Sequence, residues 1–253
     1  MTQVPRGIEG NRLLIYRNRL GKQRCIVVDL SDNLNNSFSY ARKLFSDFGR
    51  LVILIVLDLI PIVNLIVTGY ASRVLKESPG ADSPPKLENY GDMFIDGLKI
   101  VIVSVIYMLV PLVLIAAGVG SFFAAGIMEG GPDFMLRGFS PAYMGLLSGT
   151  GLALALIGVL IAFVMLIILA AGIAHMIKTG KFGKAFAFGE ILAVIRKIGW
   201  GKYIAWLILI VVLAGIVGAI AGAIPYVGWI IAAVIGPALT VFYFRSLGLL
   251  YSE

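Results

Sequence analysis

The feature that most constrains this chain is a run of 23 residues without a charge, Leu152 to Ala174. Wound as a helix at 1.5 Å per residue it reaches about 34 Å, enough to cross a hydrocarbon layer about 30 Å thick. Comparable apolar stretches recur from Leu51 onward. The sequence therefore predicts an all-α fold, a polytopic transmembrane bundle of five or six membrane segments. Hydrophobic residues make up 59% of the chain, charged residues 14%, and the mean hydropathy is +0.96, outside the range of soluble domains.

Composition also removes several kinds of chemistry. One cysteine, Cys25, excludes an internal disulfide, and one histidine, His175, excludes a multi-histidine metal centre in a single chain. The sequence carries no recognisable catalytic apparatus, so neither an enzyme nor a cofactor is expected. The net charge of +7 is carried by residues flanking the apolar runs rather than by a basic stripe interleaved with aromatics. That placement argues against nucleic acid and for membrane topology. Met1 to Gly10 lacks the apolar core of a cleavable signal peptide, so insertion is expected to begin at the first internal hydrophobic segment.

Residues 1–32 are polar and basic, and read as a flexible cytoplasmic extension with one short strand near Cys25–Val28. Residues 33–253 read as a single multi-pass membrane domain. Within it, residues 33–50 carry Phe38, Ala41, Leu44, Phe45 and Phe48 at helical spacing, the pattern of an amphipathic helix at an interface. Residues 182–198 repeat that pattern, with Lys181, Lys184, Arg196 and Lys197 placed to meet lipid headgroups. The remaining segments are 100–128 with Pro111 inside, 146–177, 203–224 and 227–250, the last two divided by Pro225. Residues 91–99 read as a short interfacial turn of helix.

Leu51 to Ser72 is interrupted by Asp58, Pro61 and Asn64. Proline removes a backbone donor and disfavours helix at the residue before it, so two arms of about ten residues are expected. Lysine plus arginine number nine before Leu51, four over 73–99, one near residue 137, six over 178–202 and none at Pro225. A single crossing of 51–72 places the nine and the six on opposite sides. A fold-back places nine, four and six together, which the bias of basic loops toward the cytoplasm favours, with both termini cytoplasmic in a cell membrane. The echo of Ile60-Pro61-Ile62-Val63-Asn64 in Ile224-Pro225-Tyr226-Val227-Gly228, and of Phe94–Gly97 in Phe186–Gly189, points to weak internal symmetry.

Several residues are candidates for chemistry. Asp58 near mid-membrane is costly unless paired or functional, and with Asn64 it forms a candidate ion or proton site. The alternative is a structural aspartate, with Arg245 as its charge partner or with Arg245 snorkelling to headgroups. Asp92 and Asp96, spaced i, i+4, form an acidic loop that could bind a divalent cation or act as acid and base, although a helix N-terminus or nearby lysines favour such residues for structural reasons. His175 reads as structural, and Glu190 as neutralising its basic neighbours. Ala214, Gly218 and Gly222, and likewise Ala116, Gly120 and Ala124, form faces suited to close helix packing.

Ile60-Pro61-Ile62-Val63-Asn64, Gly69-Tyr70, Arg73 and the stretch Asn89-Tyr90-Gly91-Asp92-Met93-Phe94-Ile95-Asp96-Gly97-Leu98-Lys99 resemble a pattern of the archaeal and bacterial membrane family catalogued as domain of unknown function 4013. Phe186-Ala187-Phe188-Gly189-Glu190-Ile191 fits its later helix motif. The resemblance covers about residues 34 to 251. It implies a multi-pass helical fold distantly similar to the membrane domains of some glycerophosphodiester phosphodiesterases, and it assigns no activity. Two functions stay open: a non-enzymatic component that organises lipid or docks a larger assembly, and a small ion-coupled transporter or channel using Asp58. An accessory subunit of a membrane enzyme complex is a third. Expected partners are membrane lipids, with protein partners or further copies of the chain.

Overall fold

The computed structural model describes residues 13–17, 23–27, 30–130, 149–224 and 228–252. Leu13–Arg17 and Gln23–Val27 pair as two antiparallel strands, with Ile15 opposite Cys25. Eight α-helices follow among the described residues. They are α1 Leu30–Ser46, α2 Phe48–Leu59, α3 Leu65–Glu77, α4 Tyr90–Gly130, α5 Thr150–Thr179, α6 Phe188–Ile198, α7 Trp200–Ala223 and α8 Gly228–Tyr251. A 3-10 turn, Phe182–Phe186, precedes α6. Four of the helices, α4, α5, α7 and α8, contain spans long and apolar enough to cross a membrane. The expected loop beyond Gly130, the residues before 149 and the Pro225 turn lie outside the described residues.

Two compact units divide the chain, residues 102–169 and the remainder. In the larger unit α8 is the hub, packing against α1, α2, α3, α6 and α7. Its apolar window is 44% buried, against 11% for α7. The core joins Tyr40, Ala41 and Leu44 of α1, Leu54 of α2, Val67, Tyr70 and Val74 of α3, Met93 of α4, and Ala238, Val241 and Phe242 of α8. In the smaller unit α4 and α5 meet through glycine. A Cβ on Gly118 would stand 2.5 Å from the Gly151 carbonyl oxygen, and one on Gly158 2.9 Å from the Ile115 nitrogen.

The first apolar segment is broken where Pro61 and Asn64 require. α2 has 12 residues and α3 has 13, about 18 and 20 Å, so neither arm alone is as long as a bilayer is thick. Ile62, in the turn between them, has φ +73°, a strained value for a β-branched residue. The arms pack on each other and on α8. Arg50, at the start of α2, donates to Pro84 O in the loop of residues 78–89 that follows directly on α3. The segment therefore leaves and returns to the same end of its unit.

Several expectations are corrected. The interfacial turn over 91–99 is the first part of α4, continuous through Pro111. Residues 33–50 are two helices, because Asp47 accepts the Arg50 N–H at 3.1 Å and caps a new start. The buried face of α1 is Asn33, Ser37, Tyr40, Ala41 and Leu44, while Phe38, Phe45 and Phe48 are exposed. Residues 182–198 break at Ala187 into the 3-10 turn and α6. A Cβ on Gly218, Gly222 or Gly120 meets nothing within 4 Å among the described residues, so the two expected small-residue faces are not helix contacts there. Among the described residues the echo does not extend to the elements: α2 and α3 are half the length of α7 and α8, and Phe94–Gly97 lies in the first two turns of α4 whereas Phe186–Gly189 straddles a break.

Candidate functional site: a charged cap and its cleft

The polar residues of the larger unit gather where α3, α5 and α8 end, around the loop 78–89. Pro79, Pro84 and Pro85 make that loop extended and poor in donors, so its carbonyl oxygens have few backbone partners. Side chains take their place. The Tyr40 hydroxyl donates to Ser83 O at 3.0 Å, the Tyr70 hydroxyl to Pro85 O at 3.0 Å, and Arg50 to Pro84 O at 2.9 Å. Arg73 donates to Glu88 O at 2.6 Å and Asn89 O at 3.2 Å, while Lys43 reaches Asp82 O and Lys178 reaches Ser78 O. Burial holds the Tyr40 phenol above its ordinary pKa, against the pull of nearby Arg245, so it stays a donor. The basic residues that the sequence reads as topology markers thus also fix a loop.

Arg245 is 3% exposed. It donates to Asn36 Oδ1 from two nitrogens at 3.2 Å each, to Ser78 Oγ at 3.1 Å and to Pro79 O at 3.2 Å, and stacks 4.4 Å from the Tyr40 ring centroid. It neither snorkels nor meets Asp58. Asp58 Oδ2 lies 3.1 Å from where a Cβ on Gly236 would stand, and Arg245 is nine residues, about 14 Å, further along α8. Next to Arg245, Ser246 accepts the Trp206 indole N–H at 2.7 Å and donates to Asn33 Oδ1 at 2.6 Å, while the Asn33 amide donates to Ser246 O at 3.1 Å. These bonds explain why α1 turns Asn33 inward beside its core residues Tyr40, Ala41 and Leu44.

A second network fastens α6. His175 Nδ1 lies 2.6 Å from the Tyr251 hydroxyl and Nε2 lies 2.8 Å from Glu190 Oε2, and Lys184 pairs with Glu190 Oε1. Hydrogen bonds from Lys184 and His175 hold the Glu190 carboxyl below the usual carboxylate range. Lys181, Arg196 and Lys197 are exposed.

The charged cleft lies between α3, α4 and the end of α5, with a cavity volume of about 390 Å³. Its geometry follows from two glycines. A Cβ on Gly69 would stand 1.7 Å from Met93 O, and one on Gly97 1.9 Å from Leu65 O, so α3 and α4 cross backbone to backbone. That crossing brings Arg73 and Lys76 of α3 into one cleft with Asp92, Asp96 and Lys99 of α4. Asp96 pairs with Lys99 at 2.9 Å. The acidic pair expected from the sequence is therefore one wall of a mixed-charge site. Nothing in the sequence placed Arg73 and Lys76 opposite it except the Gly69 and Gly97 spacing. Asp58 and Asn64 flank the hairpin turn without a hydrogen bond to each other, and the Asn64 side chain makes no cap bond to α3. Among the described residues, no three of His, Cys, Asp and Glu gather closely enough to hold a metal ion.

No curated protein and no solved structure matches the chain, so the expected likeness to phosphodiesterase membrane domains gains no support. A family model does match, over residues 52–226, from the first half of α2 to just past the end of α7. That stretch contains the Pro61 turn, the Gly69–Gly97 crossing and both walls of the cleft, and it is well over half of the sequence. The chain belongs to the family described as Protein of unknown function (DUF4013).

Proposed function

We propose that this chain is an integral protein of the cell membrane with a non-enzymatic role, in which the charged cap organises lipid or docks a larger assembly. The observation that carries this reading is the pairing of exposed aromatics with exposed cations on the helices around the cap. Phe38, Phe45 and Phe48 stand out from α1 and the start of α2, and Phe182, Phe188 and Trp200 from the segment around α6, which also carries the exposed Lys181, Arg196 and Lys197. Aromatic rings with neighbouring cations suit the headgroup layer of a bilayer. α4, α5 and α7 meanwhile expose Leu109, Leu112, Leu160 and Val211, which a water-facing helix would not. In this reading α1 and α6 lie at the cytoplasmic interface, both termini are cytoplasmic, and the partners are lipid and protein, including a second copy of the chain, not nucleic acid. Neutralising Lys181, Arg196 and Lys197 to glutamine tests it: the variant is expected to lose a stoichiometric protein partner or annular anionic lipid on purification in mild detergent. Retention of both by the variant overturns the reading.

A second reading, an ion-coupled transporter, is favoured by the surroundings of Asp58. The carboxylate stands at the end of a short helix arm, against Gly236 and one residue from Pro237 inside α8. Broken helices around an acid are how midplane ion sites are commonly built. Proton or cation flux in liposomes, lost in Asp58→Asn, would favour it over the first. Flux absent from the wild type removes it.

A further inference from the structure

The cleft between α3 and α4 holds charges of both signs that the fold itself leaves unmatched. Asp96 and Lys99 neutralise each other at 2.9 Å. Arg73 faces the cleft while two of its nitrogens are engaged with Glu88 O and Asn89 O. Lys76 and Asp92 are exposed in the same cleft, and neither side chain has a hydrogen bond or ion pair among the described residues. A cation and a carboxylate held on crossing helices without meeting each other suit a ligand that carries both complements. A purely anionic group would be attracted by Lys76 and Arg73 and repelled by Asp92. Exposed apolar side chains adjoin these charges: Ile95 and Phe182 line the cleft, and Leu98, one turn beyond Ile95 on α4, is exposed as well.

We infer that this cleft binds a phosphate with a tethered primary ammonium, the headgroup of an aminophospholipid. Lys76 and Arg73 meet the phosphate, Asp92 takes the ammonium, and the acyl chains run along Ile95 and Leu98. The cavity volume of about 390 Å³ accommodates such a headgroup. The inference rests on the reading of the chain as membrane-embedded. The two fail separately: release from membranes by alkaline carbonate would end the membrane reading, whereas a retained protein indifferent to headgroup would end only this one.

The test is native mass spectrometry of the full chain in detergent, with matched-chain phosphatidylethanolamine and phosphatidylglycerol in equal amounts. The wild type is expected to retain the ethanolamine lipid by about tenfold over the glycerol lipid, the scale of one charge-assisted contact. Lys76→Gln lowers retention of both, Asp92→Asn abolishes the preference while keeping total lipid, and Lys86→Gln, in the loop outside the cleft, changes neither. Soluble phosphoethanolamine serves as the second arm. Binding as tight as that of the lipid assigns the site to a soluble ligand and overturns the lipid assignment, while weak competition supports it. Equal retention of the two lipids by the wild type, or a preference that survives Asp92→Asn, overturns the inference.

Discussion

A methyl group added to Gly69 would sit 1.7 Å from the Met93 carbonyl oxygen, and one on Gly97 1.9 Å from that of Leu65. Both obstacles are backbone, which cannot rotate away, so either substitution must push α3 from α4. Gly69→Ala and Gly97→Ala are each expected to destabilise by about 1–3 kcal/mol, the usual range for overpacking. Gly120→Ala, where the added carbon meets nothing within 4 Å among the described residues, is the matched control and should melt at or slightly above the wild type, because alanine favours the helix. Thermal unfolding in one detergent compares all three; equal melting temperatures would sink the backbone-crossing account. Arg245 makes the same argument by chemistry instead of volume. Its planar head serves Asn36, Ser78 and Pro79 together while lying over the Tyr40 ring, and a lysine offers only a point charge with no fork. Arg245→Lys should cost about 2 kcal/mol, since bonds from a charged donor contribute roughly 1.5–3 kcal/mol each and some would survive. The Gly69-Tyr70 and Asp96-Gly97 pairs were visible in the sequence as a motif. Their purpose was not, because spacing within one helix does not reveal which other helix it touches.

α6 is a short element, 11 residues, fastened at its first turn by Glu190. The carboxylate is stabilised in the folded state, so its folded pKa lies below the unfolded value. The contribution is therefore complete above the unfolded carboxylate pKa, about 4.3, and disappears as pH falls through the lower folded one. Amide exchange over residues 188–198 should be faster in Glu190→Gln than in the wild type at neutral pH. The difference should close on acidification through that window. A gap that persists at low pH would show that the carboxylate is not the fastening. Among elements, legibility followed solvent. The long apolar helices α4, α5, α7 and α8 were plain in the sequence because length and absence of charge suffice to mark them. The Pro61 break was plain because proline leaves little choice. α1 was legible only in part: Ala41 and Leu44 of the expected apolar face are buried, but Asn33 and Ser37 go inward beside them, Asn33 to meet Ser246, and the phenylalanines stay outside. In a chain whose surroundings are apolar, hydrophobic periodicity reports the side facing lipid as readily as the side facing protein.

At the scale of the molecule, charge and hydrogen bonding point the same way about how the chain is threaded. The basic residues at the start of α2, the end of α3, the end of α5 and the end of α8 all bind one loop or its immediate neighbours. Loop 78–89 therefore acts as a common anchor for the ends of elements far apart in sequence. It also places the start of α2, the end of α3 and the C-terminal end of α8 together, whereas Gly228, the start of α8, stands at the other end of that helix. Impermeant thiol labelling of sealed vesicles can read this directly, because the chain has one native cysteine, Cys25, that is easily replaced by serine. In that background Ser83→Cys and Ser252→Cys are expected to react from the same side, and Ile224→Cys only from the opposite side. Ser83 is exposed and its backbone oxygen, not its side chain, holds Tyr40, so the label does not disturb the anchor. Reaction of positions 83 and 252 from opposite faces would mean that an odd number of the four long helices between them crosses the membrane, and the common anchor would be wrong. Reaction of position 224 from the same face as the other two would instead deny that α8 crosses at all.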